Sequence, residues 1–344
     1  MPRTSSDRQP ADPASQLAAP ASGQLGRSTG GPYRDAEAEP AWRPRGRHTL
    51  AARDARAGLA LISPTILVVA VIVIIPIIWT IMMAFQRVRL INVRRQGIFG
   101  HYTLRNFEVV FTAQGFWSSL LTTVIYTVGA TVGSIGVGLL VALALRSRFR
   151  GRGFIRGLML LPYVAPVVAV TFCWTTMLDP TFGLINVWGQ RFLGWDAGIP
   201  FLSQPSTALA TVIVFETWRY FPFAFLFITA RLGALPVDVE EAARVDGATP
   251  WQRFRFVVLP QLGPVLSVLI VLRFIFTFNK FDDVYLLTGG GAGTEVVSVK
   301  VFQYLQSRGD LGSAAAQALV LAAALVILML IYLRANRRSE ESAL

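Results

Sequence analysis

The chain alternates long apolar runs with short polar segments studded with arginine. Four stretches hold no charged residue at all: Ala57–Phe85, Ser118–Leu145, Gly157–Leu178 and Gly312–Leu333. Each reaches the roughly 20 residues that a helix needs to cross about 30 Å of hydrocarbon. Ala208–Leu232 and Leu262–Leu287 are comparably long but contain a few charges. The pattern predicts an all-α integral membrane protein with six transmembrane helices. A membrane β-barrel would show segments of about 10 residues alternating in polarity, and these runs do not alternate.

Residues 1–56 break the pattern. They are rich in Pro, Gly, Ser, Ala and Arg with little apolar periodicity, which predicts a disordered tail. The first apolar run is 29 residues long, too long for the core of a secretory signal, and no small-residue cleavage site ends it. It is expected to remain as an anchor. The expected organisation is a tail over 1–56, a six-helix membrane domain over 57–335 and a short C-terminal tail over 336–344.

Charge then orients the bundle. Only 15% of the residues are charged, against about a quarter in soluble domains. The net charge is +12, and Lys280 and Lys300 are the two lysines among 32 basic residues. The arginines sit at span ends and in loops rather than on one soluble face, which argues against a nucleic-acid partner. Segments 40–56, 146–156, 231–260 and 334–344 carry 17 basic residues; segments 86–117, 179–207 and 288–311 carry 8. The positive-inside rule therefore predicts cytoplasmic termini. Arg87, Arg89, Arg94, Arg95 and Arg105 run against it. Cys173, the single cysteine, excludes an intrachain disulfide and is expected to pack inside a span.

The most elaborate polar segment is EEAARVDGATPWQRFRFVVLP, residues 240–260, between the fourth and fifth apolar runs. Pro236 blocks earlier helix, and Asp238 with Glu241 has the spacing of a capping box. A short helix through Glu240, Glu241, Ala242, Ala243 and Arg244 should end near Asp246 and Gly247, since glycine takes positive φ without steric cost. Thr249 and Pro250 should start a second short helix over Trp251–Val258. Pro260 and Pro264 then mark entry to the next span. Loop 236–260 is thus expected to form a rigid helix–turn–helix knob on the cytoplasmic side.

Glu241-Ala242-Ala243, Gly247, Val257 and Leu259-Pro260 closely resemble the EAA loop of ATP-binding-cassette (ABC) importer permeases, where isoleucine is usual at the position of Val257. Leu161-Pro162, Trp218 to Pro222, Leu235-Pro236, Asp246-Gly247-Ala248 and Tyr285 to Gly291 are similar to the carbohydrate-uptake branch, the maltose- and glycerol-phosphate-type permeases. That branch commonly has proline where this chain has Ala292. The likeness covers roughly residues 57–335. It implies the type I ABC importer permease fold in a prokaryotic cell membrane. It also implies that Glu240, Glu241, Ala242, Ala243, Asp246, Gly247, Leu259 and Pro260 dock a separate ATPase. The implied partners are two copies of that ATPase, which bind ATP and Mg, a homologous second permease, an extracytoplasmic solute-binding protein and membrane lipid.

The chain itself carries no GxxxxGK(S/T) phosphate loop, and the glycine-rich run Thr288–Thr294 lacks a lysine. His48 and His101 fall in different compartments, so no histidine-based metal or catalytic cluster is expected. Neither an enzymatic activity nor a cofactor is expected in this polypeptide.

Charges inside hydrocarbon face a cavity or a partner by default. The fourth and fifth runs hold Glu216, Arg219, Arg273, Lys280, Asp282 and Asp283. Glu216, Tyr220 and Phe223 share one helix face, as do Arg273, Phe276 or Thr277, and Lys280. Rings beside hydrogen-bonding groups suit a sugar, and the segments around Thr217–Phe223 and Arg273–Lys280 resemble where maltose-type permeases line their sugar site. The candidate substrate contacts are Glu216, Thr217, Tyr220, Phe223, Arg273, Phe276, Thr277, Asn279 and Lys280. An interhelical Glu216–Lys280 ion pair is the purely structural alternative. Arg273 and Lys280 also leave open an acidic or phosphorylated cargo such as glycerol 3-phosphate, and amino-acid or polyamine import is a neighbouring reading. An ion-driven secondary transporter or a membrane scaffold explains the charges too, but not the knob, and no inverted repeat is evident.

Overall fold

A computed structural model describes residues 50–94, 100–147 and 149–341. Most of the expected tail, 1–49, and the last three residues lie outside the described residues. Two compact units divide at Pro64/Thr65. The described part of the first is helical, from the start of α1 (Leu50–Val69), six residues before the expected end of the tail. The second unit, from Thr65 onward, holds the bundle, the knob and the pockets between helices.

Among the described residues, five helices are long and apolar enough to span a membrane: Gly58–Ala84, Phe116–Ala144, Pro205–Gly233, Pro250–Phe278 and Leu311–Arg334. A sixth span is a bent pair. After α1, a π-helical turn (Ala70–Ile74) leads into α2 (Ile75–Ala84). The chain then runs through α3 (Arg105–Thr112), α4 (Phe116–Ala144), α5 (Arg152–Leu158), α6 (Leu161–Val164), α7 (Val167–Met177), α8 (Leu184–Phe192) and α9 (Pro205–Gly233). Next come α10 (Val237–Val245), α11 (Pro250–Arg253), a second π turn (Phe254–Val258) and α12 (Leu259–Phe278). The last elements are α13 (Asp282–Thr288), α14 (Val297–Arg308) and α15 (Leu311–Glu341), which carries helix through most of the expected C-terminal tail.

Both π turns precede a proline, Pro76 or Pro260. A proline ring collides with the carbonyl four residues back, and the wider π turn moves that carbonyl aside. The helix from Pro250 to Phe278 is therefore unbroken. This corrects the expectation of a separate helix over Trp251–Val258 with Pro260 at the span entry. The knob's second helix is the first two turns of the span.

Two other apolar runs are broken where hydropathy reads them as continuous. The third, 157–178, bends by 93° between α6 and α7. Pro166 holds Ala165 extended (ψ 142°), since a residue before proline disfavours helix. The fifth, 262–287, ends its helix at Phe278 and restarts at Asp282, so Lys280 sits in the break.

α4, α9 and α12 form the centre of the bundle. Gly138 on α4 lets the backbones close: a Cβ there would lie 2.9 Å from the Phe225 nitrogen and 3.0 Å from the Phe221 oxygen. Small residues at such crossings are how membrane helices gain van der Waals contact without a hydrophobic driving force. One apolar cluster joins Phe221, Phe225, Ile228, Leu262 and Leu269; another joins Tyr126, Val212, Phe215, Val284 and Val299. Polar residues fill the level between them. Cys173 lies on α7 as expected, but its side chain is exposed rather than packed.

Candidate functional site

α10 starts after Pro236, which holds the N-cap position with extended backbone (ψ 124°). The helix therefore starts at Val237, and Asp238 falls inside its first turn. The capping box expected of Asp238 and Glu241 does not form; Asp238 and Glu240 instead put negative charge at the positive end of the helix dipole. The end of α10 matches expectation. Gly247 has φ +79°, and the Ala248 N–H donates to the Ala243 carbonyl at 3.0 Å. Thr249 then caps α11 reciprocally with Gln252: the Gln252 N–H donates to its hydroxyl at 3.3 Å, and its own N–H donates to the Gln252 side chain at 2.8 Å. Both helices of the knob are thus tied at the turn.

Glu240 pairs with Arg146 at the end of α4, anchoring the knob to the bundle. Glu241, Ala242, Asp246, Gly247 and Pro260 are exposed, and Ala243 and Leu259 are half-buried. The knob also carries apolar side chains in the open: Val245 is 87% exposed, Trp251 66% and Phe256 70%. A valine presented that fully beside acids has the composition of an interface lacking its other half.

The second site lies between α6, α9 and α12. Tyr163, Glu216, Tyr220, Phe223, Arg273, Phe276 and Lys280 enclose about 260 Å³. The predicted face Glu216, Tyr220, Phe223 does point to one pocket, and Arg273, Phe276 and Lys280 meet it from across. Thr277 is buried behind the wall and donates its hydroxyl to Glu216 at 3.4 Å. Thr217 and Asn279 are not on the wall. Thr217 packs against the bare backbone of Gly133 on α4, and the Asn279 amide donates to the Ile275 carbonyl at 2.9 Å at the end of the helix. Tyr163 is the wall residue that periodicity misses, because α6 exists only through the break in the third run. Its ring meets Tyr220 edge-on at 5.8 Å and lies 6.1 Å from Phe223.

The charges are arranged in pairs. The Arg273 Nη2 donates to Glu216 at 3.0 Å, with both side chains buried, and its Nε donates to the Ser134 hydroxyl at 3.3 Å. Lys280 pairs with Asp283 at 3.4 Å and donates to the Tyr220 hydroxyl. The alternative Glu216–Lys280 pair is therefore corrected: Glu216 takes Arg273, two turns back along the helix from Lys280, and Lys280 takes Asp283 on its own side. Arg219 lies 3.9 Å from Asp283 and donates to the Ala165 carbonyl, which the bend has released from helical bonding. Tyr220 is the centre of this network. Arg273 lies 4.4 Å and Lys280 4.6 Å from its ring centroid.

The pocket thus offers aromatic faces and hydrogen-bonding groups, with its carboxylate and both its cations held in ion pairs. A membrane-spanning bundle with such a pocket and a rigid polar knob defines a permease. The chain belongs to the family described as the binding-protein-dependent transport system inner membrane component, whose model matches residues 134–341. It is 36% identical over 264 residues to the inner membrane ABC transporter permease protein YcjO of Escherichia coli, covering 76% of this chain and 88% of that protein. It is 33% identical over 287 residues to the trehalose/maltose transport system permease protein MalF of Thermococcus litoralis, covering 83% of this chain and 95% of that one. Its fold is similar to a chain of a bacterial ABC transporter involved in the import of the acidic polysaccharide alginate, with a TM-score of 0.72 at 21% identity over 84% of this chain and 97% of that one.

Proposed function

We propose that this chain is one of two permease subunits in an ATP-driven importer of a sugar. Loop 236–260 faces the cytoplasm and docks a separate ATPase, present in two copies, while an extracytoplasmic binding protein delivers the solute to the opposite face. ATP-driven closure of the ATPase pair draws the knobs together and opens the bundle outward; hydrolysis resets it inward. The chain contributes the path, the pocket and the handle, and the partner ATPase supplies the nucleotide chemistry.

The observation that carries this reading is the pairing of every charge on the pocket wall. Glu216 engages Arg273 and Asp283 engages Lys280, which leaves Arg219 as the one cation in excess, its guanidinium held by the Ala165 carbonyl and outside the pocket lining. Tyr163, Tyr220 and Phe223 leave ring surface for a sugar's C–H face. Phe276 is 56% exposed at the rim, consistent with a wall completed by a second subunit. The import of trehalose and maltose named for the Thermococcus litoralis relative supports the same class. The test is uptake by the reconstituted complex. A neutral disaccharide should enter only with ATP and binding protein present. Uptake that survives ATP removal and collapses with an uncoupler would refute the importer reading.

A further inference from the structure

Neither the pocket nor the knob uses the arginines that run against the charge bias. Arg87 and Arg89 follow α2, Arg105 opens α3, and Arg308 closes α14 three residues before α15. The fold gathers these four into one cleft of about 550 Å³. The carboxylate in its wall, Asp310, accepts the Ser313 N–H at 3.0 Å and the Ser313 hydroxyl at 2.8 Å, so it is engaged at the start of α15. Among the described residues none of the four guanidiniums has an ion-pair partner. Arg308 lies over the Tyr304 ring at 4.8 Å. Four exposed guanidiniums around one cavity attract an anion, and guanidinium matches phosphate geometry in a bidentate manner.

The surroundings say which anion. The cleft lies where α2 ends and α15 begins, and both belong to helices long and apolar enough to span a membrane. Phe111, Phe116 and Trp117 stack together at the start of α4, with Trp117 64% exposed, as aromatic residues do at a membrane interface. Apolar side chains stand open next to the arginines in sequence: Ile91 is 93% exposed and Leu104 69%. Exposed hydrocarbon beside free guanidinium matches a molecule with both chemistries. We propose that the cleft of Arg87, Arg89, Arg105 and Arg308 binds the phosphate of an anionic phospholipid, in the outer leaflet. The side of the membrane, though not the lipid chemistry, rests on the orientation proposed above.

The test uses the assembled transporter in detergent, titrated with phosphatidylglycerol, phosphatidylcholine or inorganic phosphate and read by native mass spectrometry. Phosphatidylglycerol should be retained at least roughly tenfold more tightly than phosphatidylcholine, and the triple variant Arg87→Gln/Arg105→Gln/Arg308→Gln should lose that preference. Arg191→Gln, on α8, should keep it. Equal retention of the two lipids overturns the proposal. So does displacement of phosphatidylglycerol by equimolar inorganic phosphate, which would assign the cleft to the free ion. A triple variant that keeps its lipid but sheds the binding protein would assign it to protein docking. Should the triple variant fail to assemble, the lipid preference of the unaltered complex and the phosphate competition still decide. Failure of sugar uptake would leave this measurement untouched, so the two readings fall separately.

Discussion

Glu216 on α9 and Arg273 on α12 form an ion pair of 3.0 Å with both side chains buried, in the middle of the bundle. Removing one partner strands the other charge. Glu216→Gln should therefore lower stability by about 3 kcal/mol, whereas Glu216→Gln with Arg273→Met should recover most of that loss. Thermal unfolding of the purified protein in detergent reads both. Equal destabilisation by the single and the double change would mean the pair does not hold the helices together.

Tyr220 touches three things at once: Arg273, Lys280 and the ring of Tyr163. Tyr220→Ala should reduce sugar uptake by roughly tenfold or more, given about 1–2 kcal/mol for a desolvated cation–π contact plus the lost stacking face. Co-purification of the ATPase should be unchanged. Tyr163→Ala should behave alike, and normal uptake in both variants would remove the pocket from the pathway.

On the knob, the sharpest change is at Val245, the most exposed of its apolar side chains. Val245→Asp and Glu241→Lys should leave folding and lipid reconstitution intact yet release the ATPase. Pull-down with a tagged ATPase checks this directly. Full retention in both would mean docking occurs elsewhere.

Ala292 is the sole non-glycine at positive φ among the described residues, at +51°. Left-handed backbone costs an L-residue about 1–2 kcal/mol and glycine almost nothing. Ala292→Gly should raise the unfolding midpoint, while Ala292→Pro should lower it, because proline cannot reach that φ. The resemblance to permeases with proline at this position thus stops at the backbone: the turn here is built differently.

Orientation can be read with a single added thiol. In a Cys173→Ser background, Arg94→Cys should react with a membrane-impermeant maleimide on intact cells, and Val245→Cys only after permeabilisation. The reverse pattern would invert the bundle and with it the import reading.

Much of this architecture is legible in the sequence, and the gaps have physical causes. Charge-free runs mark spans because hydrocarbon tolerates no stray charge. The same signal hides breaks: Pro166 bends the third run by 93°, and the run stays apolar across the bend. Helical spacing places Glu216, Tyr220 and Phe223 on one face. It says nothing of how two helices rotate against each other, which is why Glu216 meets Arg273 and not Lys280. Tyr163 is invisible for the same reason as the bend that presents it. The Thr249 cap is readable because capping is local; Asp238 fails to cap because Pro236 claims the boundary first.

The absence of a loop between knob and span has a mechanical result. From Pro250 to Arg273 the chain is one continuous rod, about 35 Å at 1.5 Å per residue. The π turn at Phe254–Val258 and Pro264 are the points along it where a tilt can be taken up. Beyond Pro264 the helix runs straight on to Arg273, so a displacement that reaches that level is expected to pull on Glu216 and couple the handle to the cavity.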